Sequence, residues 1–511
     1  MLGYINLFIL FSVFTFHGID GAKILGIFPV VGQSHYLAGS TLMKILAEKG
    51  HDVTIISPFS EKNPPKNYKE VVLKGVYEKA KANAPSMFNI PMNPFLAPVV
   101  FSFVASNMAE NVLNNTEFQQ IMQSREKFDA IIIEEFNTMT LKYVAHHLNA
   151  PLIMYSALDV NEWINQFQGN PDSPAYSPNI YLPYPTHMTL FQRSYNSISY
   201  VFNYLVRNFI TLPLQNRLLH KYYPDAPHLS EFLYNTSLVL LNADSSIHEP
   251  LPKVPSLINI GGFHIKKPKP LPKDLQDILD NAKHGVIFFS LGSNLKSVDM
   301  PIKKREILLE TFAALKQTVI WKFEDEELPG KPDNVIIRKW LPQNDILAHK
   351  NVKLFITHGG IFSTMEAVYH GIPLLALPVL AEQELNSKRA EMGGYAKKIT
   401  FWDITKDSLI SNLNEVLSNP RYKQNANKRS QIMLDKPLTA AESVNFWVEY
   451  VIRHKGAPHL RVAALDLAWY EYLLIDVILF ISVLLISIIF TIKYSLKLIC
   501  KKKTDKKEKI N

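Results

Sequence analysis

The chain has 511 residues, 47% of them hydrophobic and 20% charged, with 54 Lys and Arg against 46 Asp and Glu and a formal net charge of +8. That length holds two or more domains of ordinary size, and the single cysteine, Cys500, excludes an intrachain disulfide, so a large core must hold the body together. Residues Lys493–Asn511 alone carry eight Lys against one Asp and one Glu, which is +6 of the total; the remaining +2 takes away most of the support for the basic folded surface that a nucleic-acid binder needs.

Residues 1–22 contain an apolar run, Leu7–Phe16, too short to span a bilayer and followed by the small residues Gly21 and Ala22; they read as a secretory signal peptide. Lys23–Pro29 reads as a buried strand. Leu42, Ile45 and Leu46 then recur at helical spacing up to Gly50, and His51–Pro58 reads as a second strand. A strand–helix–strand unit predicts a parallel sheet. Phe128–Ile133 extends it, and Leu152–Tyr155 follows a helix holding His146 and His147. Segments 85–120 and 160–225 break this alternation with Phe88, Met92, Phe95, Trp163, Phe167, Tyr181, Phe202 and Phe209. They read as helical core packing, as the wall of a pocket for an apolar small molecule, or as a surface that dips into a membrane. Sequons at Asn114 and Asn235 permit glycosylation of a lumenal body.

Six prolines between Glu249 and Lys273 read as an interdomain linker, because neither a helix nor a central strand tolerates that density. The alternation restarts with strand Val286–Phe289, a helix Ile302–Leu315, and strands Val319–Phe323, Val335–Arg338, Leu354–Thr357 and Leu374–Leu377. Leu473–Ile492 is apolar enough for a membrane helix, and the lysines after it predict a cytoplasmic tail with the body on the other side. Cys500, just past the span, reads as a plain thiol or a palmitoylation site. In the tail, Lys507 and Lys509 stand fifth and third from the end, the spacing of a dilysine retrieval signal of the endoplasmic reticulum.

The chemistry is bounded first by what is missing. There is no Asp-x-Asp pair, HExxH, CxxC, Walker A or GxSxG, so metal-dependent and serine-hydrolase chemistry are not expected. The segment Trp340–Gln383 carries the positive signal. Thr357-His358-Gly359-Gly360 ends a strand, and Ser363 and Glu366 lie in the helix that follows. A Gly-Gly turn into a helix N-terminus offers unpaired N–H groups and the positive end of the dipole to an anion. His358 and Ser363 add donors, Glu366 suits a ribose diol, and the Trp340 indole can stack on a base. These residues describe a nucleoside diphosphate site that needs no metal.

The spacing Trp340, Gln343, His358, Ser363, Glu366, Gln383, with WLPQNDILAH, FITHGG and the 288–293 run FFSLGS, resembles the signature of the UDP-glycosyltransferases, most closely the membrane-bound animal branch and its insect members. The resemblance implies an α/β GT-B fold of two Rossmann-like doubly wound domains facing a cleft, plus a C-terminal transmembrane helix. It implies signal 1–22, an acceptor-binding domain 23–245, a linker 246–282, a UDP-sugar-binding domain 283–465, a membrane helix 473–492 and a tail 493–511. Trp340 would stack on uracil beside Gln343, and His358, the Gly360 backbone, Ser363 and Ser293 would hold the diphosphate. Glu366 would take the ribose, and Glu382 and Gln383 the sugar, Glu382 standing where the family has Asp and Phe362 where many members have Asn.

The resemblance makes His35, at the start of the first helix, the base, oriented by a carboxylate at Glu134 or its neighbour Glu135. An imidazole poised near neutrality can take a proton from an attacking hydroxyl. The expected reaction is inverting transfer of a hexose, glucose for preference, from a UDP-sugar to a small lipophilic acceptor, with no cofactor or metal. The alternatives are a non-catalytic lipophile-binding protein on the same fold and a glycosyltransferase of lipids or proteins. The expected setting is the reticulum membrane, single-pass, with no nucleic-acid partner and room for a homo-oligomer.

Overall fold

The computed structural model describes residues 21–508 apart from 84, 85, 87, 89–92, 125 and 381. The signal segment through residue 20, Met92, and Lys509 of the terminal lysine pair lie outside the described residues. The chain forms two compact units, Met1–Leu460 and Arg461–Asn511.

In the first unit, strands β1 (Lys23–Ile27), β2 (Asp52–Ser57), β3 (Tyr68–Val72), β4 (Ala130–Glu134), β5 (Leu152–Ser156), β6 (Leu238–Leu241) and β7 (Leu257–Asn259) form one sheet in the order β3-β2-β1-β4-β5-β6-β7. Strands β8 (Val286–Ser290), β9 (Thr318–Lys322), β10 (Val335–Arg338), β11 (Val352–Thr357), β12 (Leu374–Ala376) and β13 (Ala396–Lys398) form the other, ordered β10-β9-β8-β11-β12-β13. Every pairing is parallel. Two such sheets, covered by helices, are the two Rossmann-type layers of a GT-B fold.

The strands are near-continuous apolar runs because both faces of a parallel sheet are buried. In β1, Leu25 and Ile27 enter one core while Ile24 and the following Phe28 enter the core on the opposite face. In β8, Ile287 and Phe289 part from Val286 and Phe288 in the same way.

The structure departs from the sequence reading in two places. The proline-rich stretch contains strand β7 and a helix, Lys273–Asp280, whose Leu275 and Leu279 are buried in the core of the second sheet. The prolines themselves flank these elements, Pro272 standing just before the helix, and β7 is an edge strand. Second, the helix Ala440–Arg453, which falls within 283–465, packs its Val444, Val448 and Val451 stripe into the first sheet's core beside Ile24 and Phe28. The chain therefore returns to the first layer after completing the second. The aromatic segments, which the sequence leaves open, divide among its alternatives. Phe167 is core, Trp163 lines the cleft, and Phe209 is 74% exposed, while Phe88 crosses over to pack on Phe401 in the second sheet's core.

The second unit consists of a turn at Ala463–Leu465, a short helix Trp469–Tyr472 and a long one, Ile475–Glu508. The expected span begins at Leu473. The long helix starts two residues later because Leu474 takes a left-handed φ of 54°. Its apolar stretch, Ile475–Ile499, has 25 residues, about 37 Å at 1.5 Å per residue, enough for a bilayer core of about 30 Å. Trp469, Tyr470 and Tyr472 precede it and Lys493 and Lys497 lie toward its end. This helix fits a single-pass membrane anchor.

Candidate active site

Each sheet reverses its strand order once, between β1 and β4 in the first and between β8 and β11 in the second. At such a point the two strands' outgoing loops diverge and leave a crevice at the carboxyl edge. His35 follows β1 and Glu134 ends β4; Ser293 follows β8 and His358 follows β11. Both crevices open into one cleft of about 1380 Å³, which His35, Ser293, Trp340, His358, Glu366 and Gln383 help to line. Asn294 Nδ2 stands 3.5 Å from Ser34 Oγ, so loops of the two layers meet at its edge.

His35 Nδ1 is 2.6 Å from Glu134 Oε1. An ionised carboxylate only accepts, so Nδ1–H donates and Nε2 is left for other chemistry. Glu134 is fully buried, and its Oε2 has no hydrogen-bond partner among the described residues. Burial opposes a charged imidazole, but the charge and hydrogen bond of Glu134, with a smaller contribution from Glu382, outweigh it and hold the His35 pKa above its ordinary value. Glu135 turns away. It accepts from Asn137 N at 2.8 Å and faces the buried Lys142 ammonium at 3.9 Å. Successive residues at a strand end point to opposite sides, which separates the two carboxylates that the sequence leaves open.

On the opposite wall, Gln343 Nε2 donates to Glu366 Oε2 at 2.6 Å and to Ser363 Oγ at 3.0 Å, joining three expected residues in one network. Burial pushes the Glu366 carboxyl up to about 7, against the Gln343 hydrogen bond. Burial, with Lys322 nearby, lowers His358 to about 4, so its ring is neutral at pH 7 and keeps one N–H. Gly359 has φ 83°, and a Cβ there would lie 2.2 Å from Ser387 Oγ. Only glycine allows that turn into the helix Ile361–Tyr369, which Gly360 caps. Trp340, just past β10, is 63% exposed.

Glu382 caps the helix Gln383–Met392; burial raises its pKa, and the nearby His35 counteracts this in part. Gln383 Oε1 accepts from Val379 N and Leu380 N at 3.1 and 3.2 Å, which fixes the loop and leaves Nε2 as its remaining polar group. Phe362 sets its ring edge-on to His264, centroids 4.9 Å apart. The sequon residues Asn114 and Asn235 lie outside this assembly and are both exposed.

Two aromatic residues escape the sequence reading. Phe136 packs edge-on to His35 at 5.7 Å, and Phe101 packs edge-on to Phe136 at 5.4 Å, extending an apolar wall from the imidazole. Phe136 follows Glu135 at the exit of β4 and is legible there. Phe101 comes from the helix Leu96–Leu113, and nothing local marks it.

The family model "UDP-glucoronosyl and UDP-glucosyl transferase" matches residues 22–510. The chain is 37% identical over 492 residues to UDP-glucosyltransferase 2 of Dactylopius coccus, covering 94% of this chain and 93% of that one. It is 36% identical over 489 residues to UDP-glycosyltransferase UGT5 of the same insect, covering 93% and 92%. Among solved structures, the glycosyltransferase VinC in complex with dTDP superposes with a TM-score of 0.58 at 17% identity, over 84% of this chain and 100% of that one; that likeness carries the fold. A full-length family match on two Rossmann-type layers that share one cleft makes this chain a member of the UDP-glucuronosyl and UDP-glucosyl transferase family, a UDP-glycosyltransferase that uses a UDP-sugar donor.

Proposed function

We propose that the enzyme transfers glucose, with inversion, from UDP-glucose to a hydroxyl of a small lipophilic acceptor, using His35 as general base. The 2.6 Å contact between His35 and Glu134 carries this reading. Glu134 holds Nδ1–H, and Nε2 takes the acceptor proton as the acceptor oxygen attacks the anomeric carbon. The carbon–oxygen bond to UDP breaks, and UDP leaves with the bonding electron pair. The buried Glu134 carboxylate then offsets the imidazolium charge. His358, Ser293, Ser363 and the N–H groups at the start of helix Ile361–Tyr369 receive the diphosphate charge without a metal. Trp340 stacks on uracil beside Gln343, Glu366 binds the ribose, and Glu382 and Gln383 hold the sugar.

Two observations support the choice of substrates. The similar Dactylopius protein is named a glucosyltransferase. The Phe136 and Phe101 wall beside His35 suits a phenol or another apolar alcohol. We place the enzyme in the reticulum membrane, with signal peptide removed, body lumenal, Asn114 and Asn235 glycosylated and the basic tail cytoplasmic.

The test is UDP release by microsomes expressing the full chain, supplied with UDP-glucose, UDP-glucuronic acid or UDP-galactose and a panel of phenols and terpenoid alcohols. Acceptor-dependent release from UDP-glucose is expected, reduced about 10²–10⁴-fold in His35→Ala. UDP binding with no release across the panel would favour a lipophile-binding protein, and a product retaining the α configuration would overturn the single displacement.

A further inference from the structure

The donor diphosphate is a polyanion, yet the side chains placed around it so far carry no positive charge. The His358 ring is neutral at pH 7, Ser293 and Ser363 offer hydroxyls, and Glu366 and Glu382 in the same cleft are acids. The N-terminal end of the helix Ile361–Tyr369 contributes about half a positive charge. Moving a polyanion from water into such a place calls for a fuller counter-charge. Several lysines line the cleft, but among the described residues Lys322 is the one that is buried.

Its position follows from strand register. Thr357 of β11 pairs with Ser290 of β8. Trp321 of β9 pairs with Phe289 of β8, so Lys322, one residue on, stands level with Ser290. Residues in one row of a sheet share a face, and Lys322, Ser290 and Thr357 each end their strand. The Ser290 hydroxyl accepts from Gly292 N at 3.2 Å, and the Thr357 hydroxyl accepts from Gly359 N at 3.4 Å. Two members of the row therefore shape the turns that carry Ser293 and His358, and Lys322 is the charged residue beside them.

The ammonium is braced. Lys322 Nζ donates to Glu324 Oε1 at 2.6 Å, and Glu324 Oε2 accepts from Val298 N at 3.2 Å. Ser297 Oγ donates to Lys322 O at 3.2 Å and accepts from Trp321 Nε1 at 3.0 Å. The loop after β8 is thus tied to Lys322 through both side chain and main chain. An ammonium has three N–H groups, and the bond to Glu324 is the one that Nζ makes among the described residues. Two donors remain. The charge of Lys322, and not that of Glu324, helps to lower the His358 pKa, so the ion pair turns its positive end toward the His358 turn.

We propose that Lys322 is a diphosphate-binding residue, its ammonium supplying the formal positive charge that holds the donor and then the departing UDP. UDP gains charge as its bond to the sugar breaks, so a fixed cation favours the leaving group over the bound donor. The inference rests on the proposed function for one premise, the placement of the diphosphate beside His358.

The test needs neither acceptor nor sugar. The full-length enzyme in detergent would be titrated calorimetrically with uridine, UMP and UDP. Lys322→Met should weaken UDP binding about 10- to 100-fold, as for loss of a hydrogen bond to a charged group, and leave uridine within about twofold. Lys322→Arg should recover most of the UDP affinity. Equal losses for uridine and UDP would overturn the proposal, because the nucleoside wall would then have shifted. The double variant Lys322→Met, Glu324→Gln should stay as weak toward UDP as the single one, and it carries the same comparison if the single variant does not fold. Wild-type affinity in the double variant would overturn the proposal, since an unpaired Glu324 carboxylate would then have caused the loss. His358→Gln separates the inference from its premise. UDP affinity lost there but kept in Lys322→Met would overturn the role of Lys322 and leave the site standing; affinity kept in both would overturn the placement of the diphosphate as well.

Discussion

Gly292 and His358 are fitted to each other: a Cβ on Gly292 would lie 2.7 Å from the imidazole Cε1, and Gly292 itself adopts φ 82°. The loop after β8 thus fixes the ring that follows β11, across the switch point of the second sheet. Gly292→Ala should strain the backbone by about 1–2 kcal/mol and displace His358. Loss of kcat/KM beyond what the fall in Tm explains is the expected outcome, measured by calorimetry beside steady-state kinetics. Equal kinetics in the folded variant would show that His358 does not need to be held there.

Under the proposed mechanism the His35–Glu134 pair should set the acid limb of activity. Its pKa is raised above the ordinary imidazole value, so protonation disables the base over a wider range on the acid side, and kcat/KM should rise with pH through a midpoint above 6.5. Glu134→Gln removes the main raising charge and leaves burial opposed by the smaller contribution of Glu382. The limb should then move to lower pH while the plateau falls, by about 10²-fold or more. Glu135→Gln should leave the midpoint in place, since Glu135 faces Lys142.

Donor binding should carry a separate titration. With Glu366 pushed up to about 7 by burial, its ionised form, the better acceptor for ribose hydroxyls, is lost as pH falls below that value. Affinity for UDP-glucose, whose diphosphate diester does not titrate in this range, should weaken on acidification from pH 8 to 6. Glu366→Gln should flatten that dependence. Calorimetric Kd values across this range check it, and an unchanged slope in the variant would remove Glu366 from the donor site.

Trp340 is exposed and contributes little to any core, so Trp340→Ala should leave Tm nearly unchanged. A stacked base is worth about 1–3 kcal/mol, so KM for the UDP-sugar should rise about 5- to 150-fold. A variant with unaltered KM would place the uracil elsewhere.

What the sequence determined by itself is the local part of this protein. The apolar runs of β1, β2, β8, β9 and β11 show because strands buried on both faces need no partner to be recognised. The wall of the cleft that carries Trp340, Gln343, His358, Ser363 and Glu366 shows because these residues lie within one short stretch joined by short turns. The apolar C-terminal helix, which fits a membrane anchor, shows because length and apolarity alone mark it.

Tertiary structure decided whatever depends on distant residues meeting. Edge strands β3, β7 and β13 are short or polar, and their pairing comes from neighbours far along the chain. His35 and Glu134 are 99 positions apart, and only the parallel register of β1 with β4 directs Glu134, rather than Glu135, at the imidazole. Helix Ala440–Arg453 gives no sign in its own stripe of which sheet it will cover. The helix Leu190–Val206 lies in a stretch that the sequence leaves open between core, pocket wall and membrane surface, because periodicity identifies two faces but not which one meets the body; only the fold shows Asn196 and Asn203 bonded inward.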